Sequence, residues 1–314
     1  MAENEGWERT VMEKLAMEAV KEQRRARQWS ILFRFLTLTL AFLVFAAIMG
    51  WFGGKDSVSL GKHTAVVDLV GIIMPDGQAS AEHVIAGLQA AFKDKNTKGV
   101  ILRINSPGGS PVQAGQINDE MHRLRKKYPE IPLYAVVDDL CASGGYYAAV
   151  AADKIYVDKA SLVGSIGVLM NGFGFTGALE KLGIERRLLT AGENKGFLDP
   201  FSPMSERHRE LARKLLEEIH QQFIAVVKEG RGARLKNDPE LFSGLAWNGA
   251  RSIELGLVDA LGSVEFVARD VIGAEQLVDF TVEEGFAERF AKRFGTALGK
   301  GVGSVVLGES APLR

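Results

Sequence analysis

The stretch 142-ASGGYYAA-149 places a small hydroxyl nucleophile, Ser143, in front of two glycines. It follows an apolar, strand-like run from Leu133 to Val137. Upstream, 105-NSPGG-109 ends a second such run, Val100 to Ile104, in a turn whose glycines can aim backbone N–H groups into a cavity. Acyl transfer needs both an exposed hydroxyl and donors placed where a tetrahedral oxyanion forms. The two stretches together therefore indicate an acyl-transfer site.

Strand and helix signals alternate from Thr64 onward. The strand-like runs are Ala65 to Ile73, Val100 to Ile104, Leu133 to Val137 and Lys154 to Val157, and the helical patterns cover Ser80 to Lys93, Val112 to Tyr128, Gly144 to Ala152 and Ser205 to Glu229. This βαβ rhythm predicts an α/β fold with a parallel sheet covered by helices and with active-site loops at the carboxyl ends of strands. Both glycine motifs fall at such ends.

Composition excludes several functional classes. The 314 residues are 46% hydrophobic, which is enough to bury one large α/β domain or two smaller ones. Thirty-eight basic residues against 39 acidic ones give no bias towards nucleic acid. The single cysteine, Cys141, rules out an intramolecular disulfide framework, and no metal-ligand spacing occurs among the five histidines. We therefore predict no cofactor, no metal and no nucleic-acid partner.

The run from Phe35 to Gly54 carries no charge and is apolar on every face. Twenty residues of helix span about 30 Å, the thickness of a hydrocarbon core. We interpret the run as an uncleaved membrane anchor; a buried core helix and a cleaved signal peptide are the alternatives, and no small-x-small cleavage site follows it. The arginines before it, from Arg24 to Arg34, predict a cytoplasmic N-terminus and an extracytoplasmic domain.

The predicted organisation has five parts. They are a cytoplasmic segment (1–34), a transmembrane anchor (35–54), a linker (55–63), a catalytic domain (64–275) and a C-terminal extension (276–314), whose glycine-rich tail has only weak patterning.

The order of five motifs gives a family resemblance. NSPGG, ASGGYYAA, VGSIGV, NKGFLDPFSPM and WNGARSIELGLVDALG follow one another between about residues 64 and 270. This order resembles the short, membrane-anchored form of the bacterial signal peptide peptidase A family. The resemblance implies a serine–lysine protease with a ClpP/crotonase-like fold of repeated β-β-α/βαβ units. The last motif, GLVDALG, also resembles crotonase relatives that bind acyl-CoA.

The resemblance also implies roles for individual residues. Ser143 matches the nucleophile of the family and Lys195 its general base, while Ser165 matches the serine that orients the lysine. Gly109 and Gly144 match the positions whose N–H groups form the oxyanion hole. Cys141 stands where a small residue such as alanine is expected, and we interpret it as a packing residue.

A lysine base must be neutral. At pH 7 only about one ordinary lysine in 2,500 is neutral, and removal from water can lower a lysine pKa by several units. We therefore predict that Glu193, two residues before Lys195, points away from the ammonium group. A Ser-His-Asp triad is the chemical alternative, but no histidine lies in a turn at the carboxyl end of a predicted strand.

The implied substrates are remnant signal peptides and other hydrophobic peptides. An extended peptide would lie against small and apolar side chains; the candidate wall residues are Val163, Ile166, Val168 and Leu169. The resemblance implies ring- or dome-shaped homo-oligomers in the bacterial inner membrane, and two arrangements stay open: Ser143 and Lys195 belong to one protomer or to adjacent protomers. Three alternatives stay open: a related Ser–Lys protease acting on a specific stomatin-like membrane protein, a crotonase-like acyl-CoA enzyme, and a non-catalytic membrane scaffold.

Overall fold

A computed structural model describes residues 2–48 and 61–282 of the chain. The chain divides into two compact units, which within these residues are an N-terminal helix and an α/β domain. Residues 49–54 of the predicted anchor, most of the predicted linker and the glycine-rich tail lie outside the described residues. Each unit is considered by itself below.

The N-terminal unit is a single helix, α1 (Ala2–Ile48), which joins the charged leading segment to the apolar run without a break. Its part from Val20 to Ala46 is long and apolar enough to cross a membrane, by length and composition. The large apolar side chains between Ile31 and Phe45 are exposed, unlike those of a core helix in a soluble domain. The helix is therefore a candidate membrane anchor.

The α/β domain is built on an eight-stranded sheet of mostly parallel strands. The strands are β1 (His63–Val70), β2 (Thr97–Ser106), β3 (Leu133–Ala142), β4 (Lys154–Val157), β5 (Leu162–Gly164), β6 (Ala246–Asn248), β7 (Ala260–Leu261) and β8 (Leu277–Asp279). Their order is β6-β5-β3-β2-β1-β8, with β4 paired to β3 and to β7. All pairs are parallel except β5 with β6. This is the mixed α/β class predicted from the sequence, and β8 adds residues of the predicted C-terminal extension to the sheet.

Helices connect the strands of the described domain, and four of them lie where the sequence predicts a helix. They are α2 (Ala81–Lys93), α3 (Pro111–Lys127), α4 (Gly144–Ala149), α5 (Thr176–Lys181), α6 (Glu206–Arg231), α7 (Gly249–Glu254) and α8 (Val264–Phe266), with a 3-10 turn at Gly232–Arg234 and a π-helical turn at Val267–Ile272. Ser80, Ser110 and Ser205 accept N-cap hydrogen bonds from the first turns of α2, α3 and α6, which explains where these helices begin.

Strand β3 is the centre of the sheet and has two successive partners along one edge. Its first half pairs with β4, from Tyr134 to Val137, and its last three residues pair with β5. Along the other edge the pairing with β2 shifts register between Ile104 and Ser106. The carboxyl ends of β2, β3 and β5 therefore meet at one place, where the glycine motifs lie.

The main core lies between the sheet and helices α2, α3 and α4, and most of its side chains are fully buried aliphatic residues.

Arg231, the last residue of α6, forms a buried ion pair with Asp259. The Arg231 guanidinium donates two hydrogen bonds to the Asp259 carboxylate, at 2.9 and 3.0 Å, and a third to the Gly256 carbonyl. Burial by itself would raise the pKa of Asp259, but the hydrogen bonds and charge of Arg231 outweigh it and lower that pKa.

Candidate active site

Ser143 lies in a strained backbone conformation between β3 and α4. Its φ of 52° is one of three positive values among the described non-glycine residues. The conformation is held by the Ser143 N–H, which donates to the Gly164 carbonyl at 2.8 Å, and by its own carbonyl, which accepts from Tyr147 N–H at 2.9 Å. Positive φ costs a non-glycine residue about 1–3 kcal/mol and persists where the surrounding structure enforces it. Ser143 is half-exposed and its Oγ has no hydrogen-bond partner among the described residues, so this hydroxyl is available as a nucleophile.

The two glycine motifs meet beside this serine. A Cβ on Gly108 would come within 2.5 Å of the Gly144 nitrogen and 2.8 Å of the Ser143 Cβ. A Cβ on Gly109 would come within 2.1 Å of the Ile73 carbonyl oxygen. Only glycine permits both approaches, so the NSPGG turn can lie directly against the start of α4.

Two backbone donors remain free at this contact. The Ile73 N–H donates to the Gly108 carbonyl at 2.9 Å, and the Ser110 N–H donates to the Ile73 carbonyl at 2.8 Å. This short parallel bridge leaves the Gly109 N–H on the other side of the turn, close to Gly144. Neither the Gly109 nor the Gly144 N–H has an acceptor within the described part of the chain, and both residues line the same cleft as Ser143. The arrangement can stabilise the negative charge that develops on a carbonyl oxygen under attack by a hydroxyl at Ser143.

The buried Ser106 fixes the position of this turn. Its Oγ donates to the Gly71 carbonyl at 2.6 Å and accepts from the Gly108 N–H at 3.1 Å. The N-cap Ser110 accepts from the Gln113 N–H and starts α3 immediately after the turn.

Ser165 directly follows β5, which forms with β6 the only antiparallel pair among the described strands. Its N–H donates to the Leu245 carbonyl at 2.7 Å, next to the pairing of β5 with β6. The preceding Gly164 packs against the Trp247 ring, which leaves 2.9 Å to an added Cβ. Ser165 also has a positive φ, 50°, and it lines the cleft with Ser143.

The cleft has a volume of about 970 Å³ and is mostly apolar. One wall is a face of α3, another is the segment after Ser165, and a third is α6 through Ile219 and Phe223. Of the four predicted wall residues, Val168 and Leu169 line it.

Val163 and Ile166 do not reach the cleft. Both are fully buried in the main core, so the structure does not support them as wall residues. The burial of Val163 follows from alternation along β5, because neighbouring side chains of a strand point to opposite faces of the sheet and Leu162 lies on the exposed face. Ile166 packs inward just after the strained Ser165, and its carbonyl lies 3.1 Å from the His220 Nε2.

Lys195 is exposed on the loop between α5 and α6, where its N–H closes a turn onto the Gly192 carbonyl at 3.1 Å. It is not among the described residues that line the cleft. Glu193 forms an ion pair with Arg207, with a second contact at 3.2 Å, so it does not hold Lys195, as predicted. Within one chain the cleft thus brings together Ser143, Ser165 and the two glycines, without Lys195.

Several cleft residues were not predicted from the sequence. Asp119 of α3 lies one helical turn beyond Gly115 and two turns beyond Pro111. This spacing is the sequence signal that predicts one helix face for all three residues. Tyr147 packs against Phe223, with 5.1 Å between ring centroids, and burial followed by the charge of Asp119 raises its pKa.

The remaining titratable candidates lie elsewhere. Burial raises the pKa of the Cys141 thiol, which sits in the core as a packing residue. None of the described cleft residues is a histidine, so no Ser-His-Asp triad forms around Ser143. Among the described residues no group of three or more His, Cys, Asp or Glu side chains is placed to hold a metal ion.

A parallel α/β domain with a strained serine beside two free N–H donors has the parts of a serine hydrolase. Comparison with known proteins identifies the family: residues 125–277 match Peptidase family S49. A putative protease of Methanocaldococcus jannaschii (MJ0651) is 31% identical over 217 residues, which are 68% of this chain and 69% of that protein. The chain belongs to Peptidase family S49, a family of peptidases with a ClpP-like fold, and the family predicted from the sequence is confirmed.

Two further relatives are similar to this chain over about two thirds of its length. A putative signal peptide peptidase SppA of Enterococcus faecium is 32% identical over 207 residues, 66% of this chain and 60% of that protein. A protein of Brucella abortus named Na(+)/H(+) antiporter NhaA is 43% identical over 213 residues, but the chain spans only 29% of its length. That name therefore applies to the Brucella protein alone.

Proposed function

We propose that this protein is a membrane-anchored serine endopeptidase that degrades remnant signal peptides and other hydrophobic peptides. The observation that carries the proposal is the strained Ser143, with a free Oγ, beside the two free N–H groups of Gly109 and Gly144 in one apolar cleft. Family membership and the relative named as a putative signal peptide peptidase support the substrate class.

The proposed mechanism is a Ser–Lys dyad. The neutral Lys195 amine takes the proton of the Ser143 Oγ as this oxygen attacks the scissile carbonyl, and the resulting oxyanion is held by the two glycine N–H groups. The protonated amine then gives its proton to the leaving amine, and an acyl-enzyme on Ser143 remains. A water molecule, deprotonated by the same lysine, hydrolyses this ester and restores the free serine. Ser165 orients the lysine.

The lysine would come from a neighbouring copy of the chain. Lys195 belongs to a segment, residues 169–204, that exposes many large apolar side chains, among them Leu189 at 95% and Phe173 at 76%. Such a surface is typical of a protein–protein contact. Packing this segment against the cleft of an adjacent protomer in a ring or dome would remove Lys195 from water, and removal from water lowers the pKa of a lysine.

The N-terminal helix would hold this assembly at a bacterial inner membrane. The arginines between Arg24 and Arg34 favour a cytoplasmic N-terminus, which puts the peptidase domain on the other side. There the cleft would meet apolar segments that leave the lipid.

A peptide cleavage assay tests the dyad. The full-length protein in detergent is compared with Ser143→Ala, Lys195→Ala and the matched control Lys181→Ala, an exposed lysine at the end of α5 in the same segment. Cleavage of an apolar fluorogenic peptide should be lost in the first two variants and kept in the control. Full activity of folded Lys195→Ala would contradict the assigned base.

A mixing experiment tests the shared site. Inactive Ser143→Ala and Lys195→Ala proteins are dissociated, combined and reassembled. If the dyad spans two protomers, mixed assemblies contain some sites with both intact residues and regain part of the activity. No regain in verified mixed oligomers would place both residues in one chain.

A further inference from the structure

The cleft beside Ser143 carries a single charge. Apart from Asp119, every described residue that lines it is neutral, and none is Lys, Arg or His. The Asp119 carboxylate is exposed and has no hydrogen bond or ion pair with any described residue. A carboxylate in a mostly apolar groove, without a basic partner among the described residues, is free to pair with a cation on the ligand.

The position of Asp119 follows from the geometry of α3. This helix begins beside the oxyanion turn and runs away from it, and the cleft is lined by Pro111, Gly115 and Asp119 at successive turns. Eight residues of helix advance about 12 Å. An extended peptide advances about 3.3 Å per residue, so for a peptide that runs alongside α3 this length corresponds to about four residues between the oxyanion turn and Asp119.

The neighbouring acidic residue points elsewhere. Glu120 binds the Arg123 guanidinium and accepts a hydrogen bond from Gln89 on α2 at 2.7 Å. Asp119 instead lies near Tyr147, whose pKa is raised by burial and by the Asp119 charge. Only one of these two adjacent carboxylates thus faces the cleft.

We propose that Asp119 is a specificity-determining residue that pairs with a lysine or arginine of the substrate, some three to five residues from the scissile bond. The preferred substrates are then extended apolar peptides with a basic residue at one defined distance from the cut. Signal peptides combine these features, because a positively charged segment precedes their apolar core. This inference rests on the proposed peptidase function and adds its substrate recognition.

A lysine scan tests it with the full-length protein in detergent. One apolar fluorogenic peptide is made with a single lysine at each position from two to six residues on either side of the cleavage site, and each is paired with a neutral acetyl-lysine version. The readout is the ratio of kcat/KM for lysine over acetyl-lysine at each position. The proteins are wild type, Asp119→Asn, Asp119→Glu and the matched control Glu120→Gln, which removes the same charge one residue away and outside the cleft.

We expect the wild-type ratio to reach about fivefold at one position, the scale of a partly exposed ion pair, and to fall in high salt. The ratio should drop to about one in Asp119→Asn and remain in Asp119→Glu and Glu120→Gln. A wild-type protein without preference at any position, or an Asp119→Asn variant that keeps it, would overturn the inference while Ser143-dependent cleavage of the neutral peptides still upheld the peptidase function. Absence of cleavage of every peptide would refute both.

Discussion

Replacing Gly109 by alanine should strongly lower activity by displacing the backbone N–H of this residue. The new Cβ would lie 2.1 Å from the Ile73 carbonyl oxygen and 2.9 Å from the Ile73 nitrogen, far inside ordinary contact distance. The φ of Gly109, 151°, adds strain for a residue with a side chain. The turn must therefore move away from Ile73, and the Gly109 N–H moves with it.

The size of the effect follows from what this movement breaks. The bridge to Ile73 contains two hydrogen bonds, of 2.9 and 2.8 Å, each worth about 0.5–1.5 kcal/mol. We therefore expect the free energy of unfolding to fall by about 1–3 kcal/mol. Loss of one oxyanion donor lowers kcat by about 100- to 1,000-fold, so the activity loss should exceed what the fraction of unfolded protein explains.

The assay combines urea unfolding with peptide cleavage, and Gly115→Ala is the stability control. Gly115 is interior to α3 and has nothing within 4 Å of an added Cβ, so the same substitution there should stabilise the domain by about 0.5–1 kcal/mol. A Gly109→Ala protein with unchanged stability and with kcat within threefold of wild type would refute this account of the turn.

Further predictions concern stability and positioning. Asp259→Asn leaves the fully buried Arg231 guanidinium without its counter-charge, and urea unfolding should show a loss of about 3–5 kcal/mol, whereas Asp270→Asn, in a surface ion pair, should cost less than about 1 kcal/mol. The folded-state pKa of Asp259 lies below its ordinary value, so the stability that this ionised carboxylate contributes is complete at neutral pH. This stability is lost as the pH falls below about 4 and through the folded-state pKa. The loss of stability in acid should therefore be smaller in Asp259→Asn. Ser106→Ala leaves the buried Gly108 N–H without its acceptor; we expect a stability loss of about 1–3 kcal/mol and a lower kcat with little change in KM, and equal changes in both would contradict the positioning role.

Local sequence determined most of the secondary structure. Apolar periodicity predicted α2, α3 and α6 to within about two residues, because this signal depends on neighbours along the chain. The NSPGG and ASGGYY stretches predicted the meeting of nucleophile and donors, because parallel strands bring their carboxyl ends to one edge of the sheet.

Tertiary structure decided the backbone conformation of Ser143 and the side chains that line the cleft, because both depend on long-range contacts. The strained φ of Ser143 depends on a hydrogen bond that the Ser143 N–H donates to the Gly164 carbonyl of a different strand, and no local propensity encodes it. Val163 lies in the core because the face that a strand residue takes depends on strand pairing, and Ile166 packs inward after the strained Ser165. Asp119 became a cleft residue because α3 packs with that face beside α4. Sequence by itself thus determined which groups can react, and packing decided which side chains surround them.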